Sequence, residues 1–219
     1  MTVIDFLDIS AESIVAVIGC GGKTSLIELL ADKLGDKRVL ISPTTKMFPL
    51  KTHECLGVPN VTSGKLESLS EQALAEHIPR YEFTLLEADG SGGLPCKGWL
   101  DNEPVIPRNC THTVGVVTLS ALGSPATKDI IHRLPEFLSL TGLREGAIVT
   151  EQALIAMVCS AKGMFKNSVG RRYLLVNRAE NEAAMNSAQS FLQAIKETYP
   201  NRFQRLLYGS VHLDSFKEV

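Results

Sequence analysis

Cysteine is scarce in this 219-residue sequence and poorly placed for covalent or metal chemistry. The five cysteines (Cys20, Cys55, Cys96, Cys110 and Cys159) are odd in number, widely spaced and form no C-x-x-C pair. That spacing excludes a disulfide framework or an ordinary zinc site and leads us to expect reduced thiols. Excess charge of either sign is also missing. The 22 Lys and Arg against 24 Asp and Glu leave a formal net charge of -2, and the basic residues are scattered. No stripe invites nucleic acid or an anionic membrane surface. No apolar run approaches the ~18 residues of a membrane span, and the opening MTVIDFLDIS carries acids where a signal peptide needs a basic segment. A cytoplasmic protein is expected. Repeats, low-complexity tracts and linkers are absent, so with 44% hydrophobic residues the expectation is one domain over 1–219.

What the chain does contain is a regular alternation of short apolar runs and helical periods. Ile14 to Ile18 reads as a fully buried strand, and a helix from Lys23 to Leu34 follows, with Ile27, Leu30, Ala31 and Leu34 on one face and Gly35 as its C-terminal cap. Further strands are expected over Arg38 to Ser42, stopped by Pro43, over YEFTLLE ending at Glu87, over Thr113 to Leu119, over Arg172 to Asn177 and in QRLLYGS. Phe48 to Leu66 reads as irregular, and SLSE spells a capping box before a short helix from Ser70 to His77. Together these point to an α/β fold of the P-loop NTPase type, with a mostly parallel sheet and helices on both faces. In such sheets functional groups gather at the carboxyl ends of the strands.

The first strand ends in VAVIGCGGKTSL. Counting back from Gly22 puts Val17 where a P-loop has its first glycine, so the strict spelling fails. The chemical requirements are nonetheless met: a turn of inward-facing amides at Gly19, Cys20, Gly21 and Gly22, Lys23 for the outer phosphates, the Thr24 hydroxyl for Mg2+, and a helix beginning through Ser25. The shortened G-x-x-G-K-T is similar to the loop of the Mur ligase and folylpolyglutamate synthetase group. Cys20 sits where a helix N-terminus would depress a thiol pKa, although a small filler is the simpler role.

A second set of polar residues closes the other strands. Glu87 and Asp89 end the third strand as a Walker B segment would, to hold Mg2+ directly or through water, or to orient a water; the metal ligands expected are Thr24 and Asp89. Lys97 and Glu103 follow in a loop that reads as too polar and glycine-rich for core. SPTTKM puts Thr44, Thr45 and Lys46 at the sheet edge, beside a nucleotide or its Mg2+. Arg133, in a helix that Pro135 should break, could neutralise phosphate or lie on the surface. NRAE at Asn177 to Glu180 is one step from the N-K-x-D of GTPases, so Glu180 either reads guanine or caps a helix.

Taken in order, GCGGKTSL, TTKM, EADGSGGLPCKG, EPVIP, HR and NRAE resemble the YqeC family of accessory proteins associated with selenium-dependent molybdenum hydroxylases. The resemblance covers nearly the whole chain. It implies nucleotide binding by Gly19, Gly21, Gly22, Lys23 and Thr24, with Glu87, Asp89, Lys97, Glu103, His132 and Arg133 matching the family pattern. Ser42 and Pro43 stand where further threonines are expected, and Arg178 and Glu180 replace the more usual Lys and Asp. The expected function is Mg2+-dependent binding or hydrolysis of ATP or GTP in maturation of such a hydroxylase. Lys23, Glu87, Asp89 and Arg133 would be its catalytic groups. The partner implied is a molybdenum hydroxylase or cofactor-maturation protein, and a second copy of the chain is a further candidate. The alternatives are an ATP-using ligase or transferase, and a scaffold that holds a cofactor intermediate through Cys20 or Cys96.

Overall fold

The computed structural model describes residues 1–219. Seven strands form the main sheet: β1 (Ile14–Gly19), β2 (Val39–Pro43), β3 (Phe83–Glu87), β4 (His112–Val117), β5 (Arg171–Val176), β6 (Arg205–Ser210) and β7 (Ser215–Glu218). Their spatial order is β2-β3-β1-β4-β5-β6-β7. The first six are parallel, and β7 pairs antiparallel with β6. Pro43 ends β2 at the sheet edge, where its missing N–H leaves no ladder bond unmade.

The strands are apolar at successive positions because both faces are covered. Six helices accompany them: α1 (Val3–Phe6), α2 (Lys23–Leu34), α3 (Glu71–His77), α4 (Leu134–Thr141), α5 (Glu151–Cys159) and α6 (Glu182–Thr198). In β1, Ile14, Ala16 and Ile18 enter the core built with Phe137 of α4, Met157 of α5 and Phe191 of α6. Val15 and Val17 point to the other face, where Val3 of α1 and Leu26, Ile27 and Leu30 of α2 close the second core. Each fully buried aliphatic side chain of α2 contributes about 1.5–3 kcal/mol. The chain leaves β1 toward β2 on one side and β4 toward β5 on the other, so a topological switch point lies between the carboxyl ends of β1 and β4.

Four local expectations need correction. Phe48 to Leu66 is not irregular throughout: Lys65–Glu67 pairs with Val58–Asn60 on one side and with Lys46–Met47 on the other in a three-stranded antiparallel sheet. Gly64, at φ +67°, donates back to the Asn60 carbonyl to make the turn between them. The cap of α3 is Ser70, whose hydroxyl accepts the Ala73 N–H, rather than Ser68 of the box spelling. Pro135 starts α4 instead of breaking a helix, since the first turn needs no N–H from it. His132 precedes that helix in a two-residue strand, Ile131–His132, paired with Cys96–Lys97. The sequence reading also missed β7, a mostly polar edge strand with no apolar run to announce it.

Candidate functional site

β1 runs out into a loop that lies flat on the end of β4. Gly19, Gly21 and Gly22 have φ of +99°, +102° and +126°, which L side chains rarely adopt. Space forbids them as well: a Cβ on Gly19 would run into the Val116 carbonyl, and one on Gly21 would lie 2.8 Å from the Thr118 methyl. The Cys20 N–H donates to the Val116 carbonyl at 2.8 Å, and its side chain is fully buried. Burial pushes its thiol up to about 12. Desolvation outweighs any depression by the helix terminus, and the fully buried side chain fits the small-filler role.

Lys23, the first residue of α2, folds back into this loop. Its Nζ donates to the Gly19 carbonyl at 2.8 Å and lies 3.5 Å from Asp89 Oδ1 and 4.0 Å from Glu87 Oε1. Burial works toward a neutral amine, but the charges of Asp89 and Glu87 outweigh it and hold Lys23 protonated above the ordinary lysine value. Thr24 Oγ1 donates to Glu87 Oε2 at 2.6 Å. Burial raises the Glu87 carboxyl, with the Lys23 charge and the Thr24 bond opposing it.

The two strand-end carboxylates differ in what they face. Asp89 is 0% exposed. Its Oδ1 and Oδ2 accept the Gly19 N–H at 3.0 and 3.1 Å, and Oδ2 also accepts Trp99 Nε1–H at 2.9 Å. Asp89 therefore clamps the glycine loop from behind, and Glu87 with Thr24 faces the open side. Lys97 continues the buried chain: it donates to the Gly90 carbonyl at 2.6 Å and to Glu103 Oε2 at 3.2 Å, 3.5 Å from Asp89 Oδ2. Glu103 Oε1 accepts Arg133 at 2.7 Å. Two expectations change here. Lys97 and Glu103 are core, because their charges satisfy one another, and Arg133 neutralises Glu103 rather than the open pocket. Burial also keeps the neighbouring His132 below the ordinary histidine value.

Two cavities meet over the loop. One, of about 380 Å3, is lined by Lys23, Thr24, Glu87, Lys46, Lys65 and the Gly90–Gly93 turn, among others. The other, of about 420 Å3, lies between the α2 face carrying Glu28, Leu29 and Asp32 and the ends of β5 and β6. Gly22, Ser25 and Arg178 line both. Asn177 ties the second cavity to the loop, donating to the Gly21 carbonyl at 2.8 Å while its Oδ1 accepts the Val211 N–H at 2.9 Å. Glu180 lines the same cavity and accepts Ser210 Oγ at 2.9 Å.

Of Thr44, Thr45 and Lys46 only Lys46 lines one of these two cavities. Thr44 Oγ1 donates to the Val105 carbonyl at 2.6 Å, and the Thr45 hydroxyl is buried without a partner. Sequence reading did not select Arg178, Ser91, Lys65, Glu28 or His212, all of which line the cavities. Arg178 and Ser91 lay inside motifs already quoted, whereas Lys65 carried no signal, sitting in a stretch read as irregular.

The family described as "YqeC protein" matches residues 15–135. A protein of Escherichia coli (strain K12), named "Uncharacterized protein YqeC", is 30% identical over 221 aligned residues, covering 85% of this chain and 86% of its own length. No solved structure gives a match. The matched segment holds the glycine loop, Glu87, and the chain of buried charges from Asp89 to Arg133; Asn177 and Glu180 lie outside it.

Proposed function

The chain belongs to the YqeC family, and on that footing we propose that it binds a purine nucleoside triphosphate, ATP or GTP, with Mg2+, using the glycine loop as a compact P-loop. One observation carries the reading: the two cavities lie side by side over the loop and share Gly22, Ser25 and Arg178 in their walls. A ligand with a flat donor-rich head and an anionic tail fits that pair. Glu28, Asp32 and Glu180 offer acceptors to the N–H groups of a purine, and Lys23, the loop amides and the N-terminus of α2 offer positive potential to phosphate.

Each residue then has a task. Lys23 neutralises the outer phosphate oxygens, and Asp89 keeps the loop amides aimed by holding Gly19. Trp99 and Lys97 in turn hold Asp89. Thr24 Oγ1 and Glu87 are paired hard-oxygen donors of the kind Mg2+ prefers, so they would hold the ion, whereas Asp89, expected as a ligand, is turned away to Gly19 and Trp99. Bound there, Mg2+ would withdraw charge from the phosphates. Glu87 is the only carboxylate lining the lysine-rich cavity and no histidine lines it; hydrolysis is therefore expected to be slow, with binding the primary activity. Arg133 supports this set through Glu103.

A role in maturing a selenium-dependent molybdenum hydroxylase, with a hydroxylase or cofactor-maturation protein as partner in the cytoplasm, follows from the family resemblance. The scaffold alternative through Cys20 or Cys96 is disfavoured, because both thiols are buried and burial raises both pKa values. Calorimetric titration with Mg2+ and nonhydrolysable ATP and GTP analogues tests the reading. Binding that needs Mg2+ and falls at least tenfold in Lys23→Ala supports it; equal affinity in Lys23→Ala would sink it.

A further inference from the structure

The lysine-rich cavity is longer than the loop needs. Beyond Lys23 and Thr24 it extends under the small three-stranded sheet, where Lys46, Phe48 and Lys65 face the Ser91–Gly93 turn. Lys46 is ion-paired with Glu67 at 2.7 Å. Lys65 has no carboxylate within ion-pairing distance. Its Nζ sits 4.7 Å above the centroid of the Phe48 ring, which is itself 59% exposed. The Lys65 charge also reaches Glu87, opposing the effect of burial on that carboxyl. A half-buried cation without a counter-ion, in the wall of a cavity of about 380 Å3, calls for an anion beside the phosphates already served by Lys23.

The chemistry of the walls restricts what that anion does. A hydroxyl acceptor must lose a proton as it attacks phosphorus, and it needs a base within reach. The only candidate on these walls is Glu87, which already accepts from Thr24. A carboxylate attacks without losing a proton, and it matches the Lys65 charge.

Resting on the nucleotide reading above, we propose that the region between Lys65, Phe48 and the Ser91–Gly93 turn binds a small carboxylic acid as phosphoryl acceptor. One carboxylate oxygen forms a bond to the γ-phosphorus. The bond from that phosphorus to the β–γ bridging oxygen breaks, and its electron pair stays on the departing nucleoside diphosphate, whose charge Lys23 offsets. No proton moves. The products are an acyl phosphate and a nucleoside diphosphate, so the protein supplies an activated acid to a later acyl-transfer step.

The reverse reaction makes the test possible with acetyl phosphate as the smallest acyl phosphate. Protein with Mg2+, acetyl phosphate and ADP or GDP is assayed for nucleoside triphosphate, and affinity for the nonhydrolysable analogues is measured by calorimetry on the same samples. The expected result is triphosphate formation by wild type, a loss of at least tenfold in Lys65→Ala, recovery in Lys65→Arg, and less than a twofold change of analogue affinity in Lys65→Ala. Normal analogue binding with no triphosphate formed overturns the acceptor site and leaves the nucleotide reading standing. Equal losses of rate and analogue affinity in Lys65→Ala overturn it too, by placing Lys65 on the nucleotide. Absence of Lys23-dependent analogue binding overturns both.

Discussion

At the scale of single residues, the decisive feature is that Asp89, Lys97, Glu103 and Arg133 form one alternating chain of charge behind the loop. Removing one member strands its neighbours. Lys97→Met should lower stability by about 3–5 kcal/mol in urea denaturation, because Asp89 and Glu103 lose a fully buried partner; Glu103→Gln added to it should restore part of the loss. The thiols give a second check. Cys20, Cys96, Cys110 and Cys159 are buried and only Cys55 is partly open, with its thiol also raised by burial. Native protein should therefore react with a thiol reagent slowly and at Cys55 first, and all five cysteines should react in denaturant. Rapid modification of Cys20 in native protein would contradict the packing of the loop.

At the scale of elements, the legibility of the sequence followed burial. β1 and α2 were readable because one is apolar at every position and the other has an apolar stripe closed by Gly35. The three-stranded sheet from Lys46 to Glu67 was not. Its strands are two or three residues long, partly exposed, and held by pairing that local pattern cannot display. Asp89 was visible as a carboxylate at a strand end, but which of Glu87 and Asp89 faces the cavity depends on Trp99 and Lys97, brought back from downstream. The loop itself makes a prediction: Gly19→Ala, at φ +99° and against the Val116 carbonyl, should destabilise by about 1–3 kcal/mol and also weaken nucleotide binding.

The start of β4 carries the acid sensitivity. Burial, with Arg171 adding to it, keeps His112 below its ordinary value of 6.5, against the opposing pull of Asp8. Its ring stacks on Tyr173 with centroids 5.6 Å apart. The folded state binds fewer protons there than the unfolded chain, so this stability is present above about pH 6.5 and is lost as pH falls below it. His132, lowered by burial first and then by Lys97 and Arg133, acts in the same direction. Thermal melting points should fall as pH drops from 7 to 5, and His112→Gln should flatten that fall at the expense of stability at pH 7.

At the scale of the whole molecule, the sheet order puts the β1 loop, the Glu87 strand end and the Asn177 strand end along one edge, and the two cavities follow from that placement. Trp99, the only tryptophan, donates to the carboxylate that holds Gly19, so its fluorescence should change on nucleotide binding. A ligand at 100 times its Kd should add about 2.7 kcal/mol of stability. The most direct measurement is a crystal structure with Mg2+ and a nonhydrolysable purine triphosphate. The base should lie between α2 and Asn177–Glu180, the phosphates against Gly19–Lys23, and the ion beside Thr24 and Glu87. A nucleotide bound elsewhere, or phosphates that leave Lys23 on the Gly19 carbonyl, would contradict the assignment.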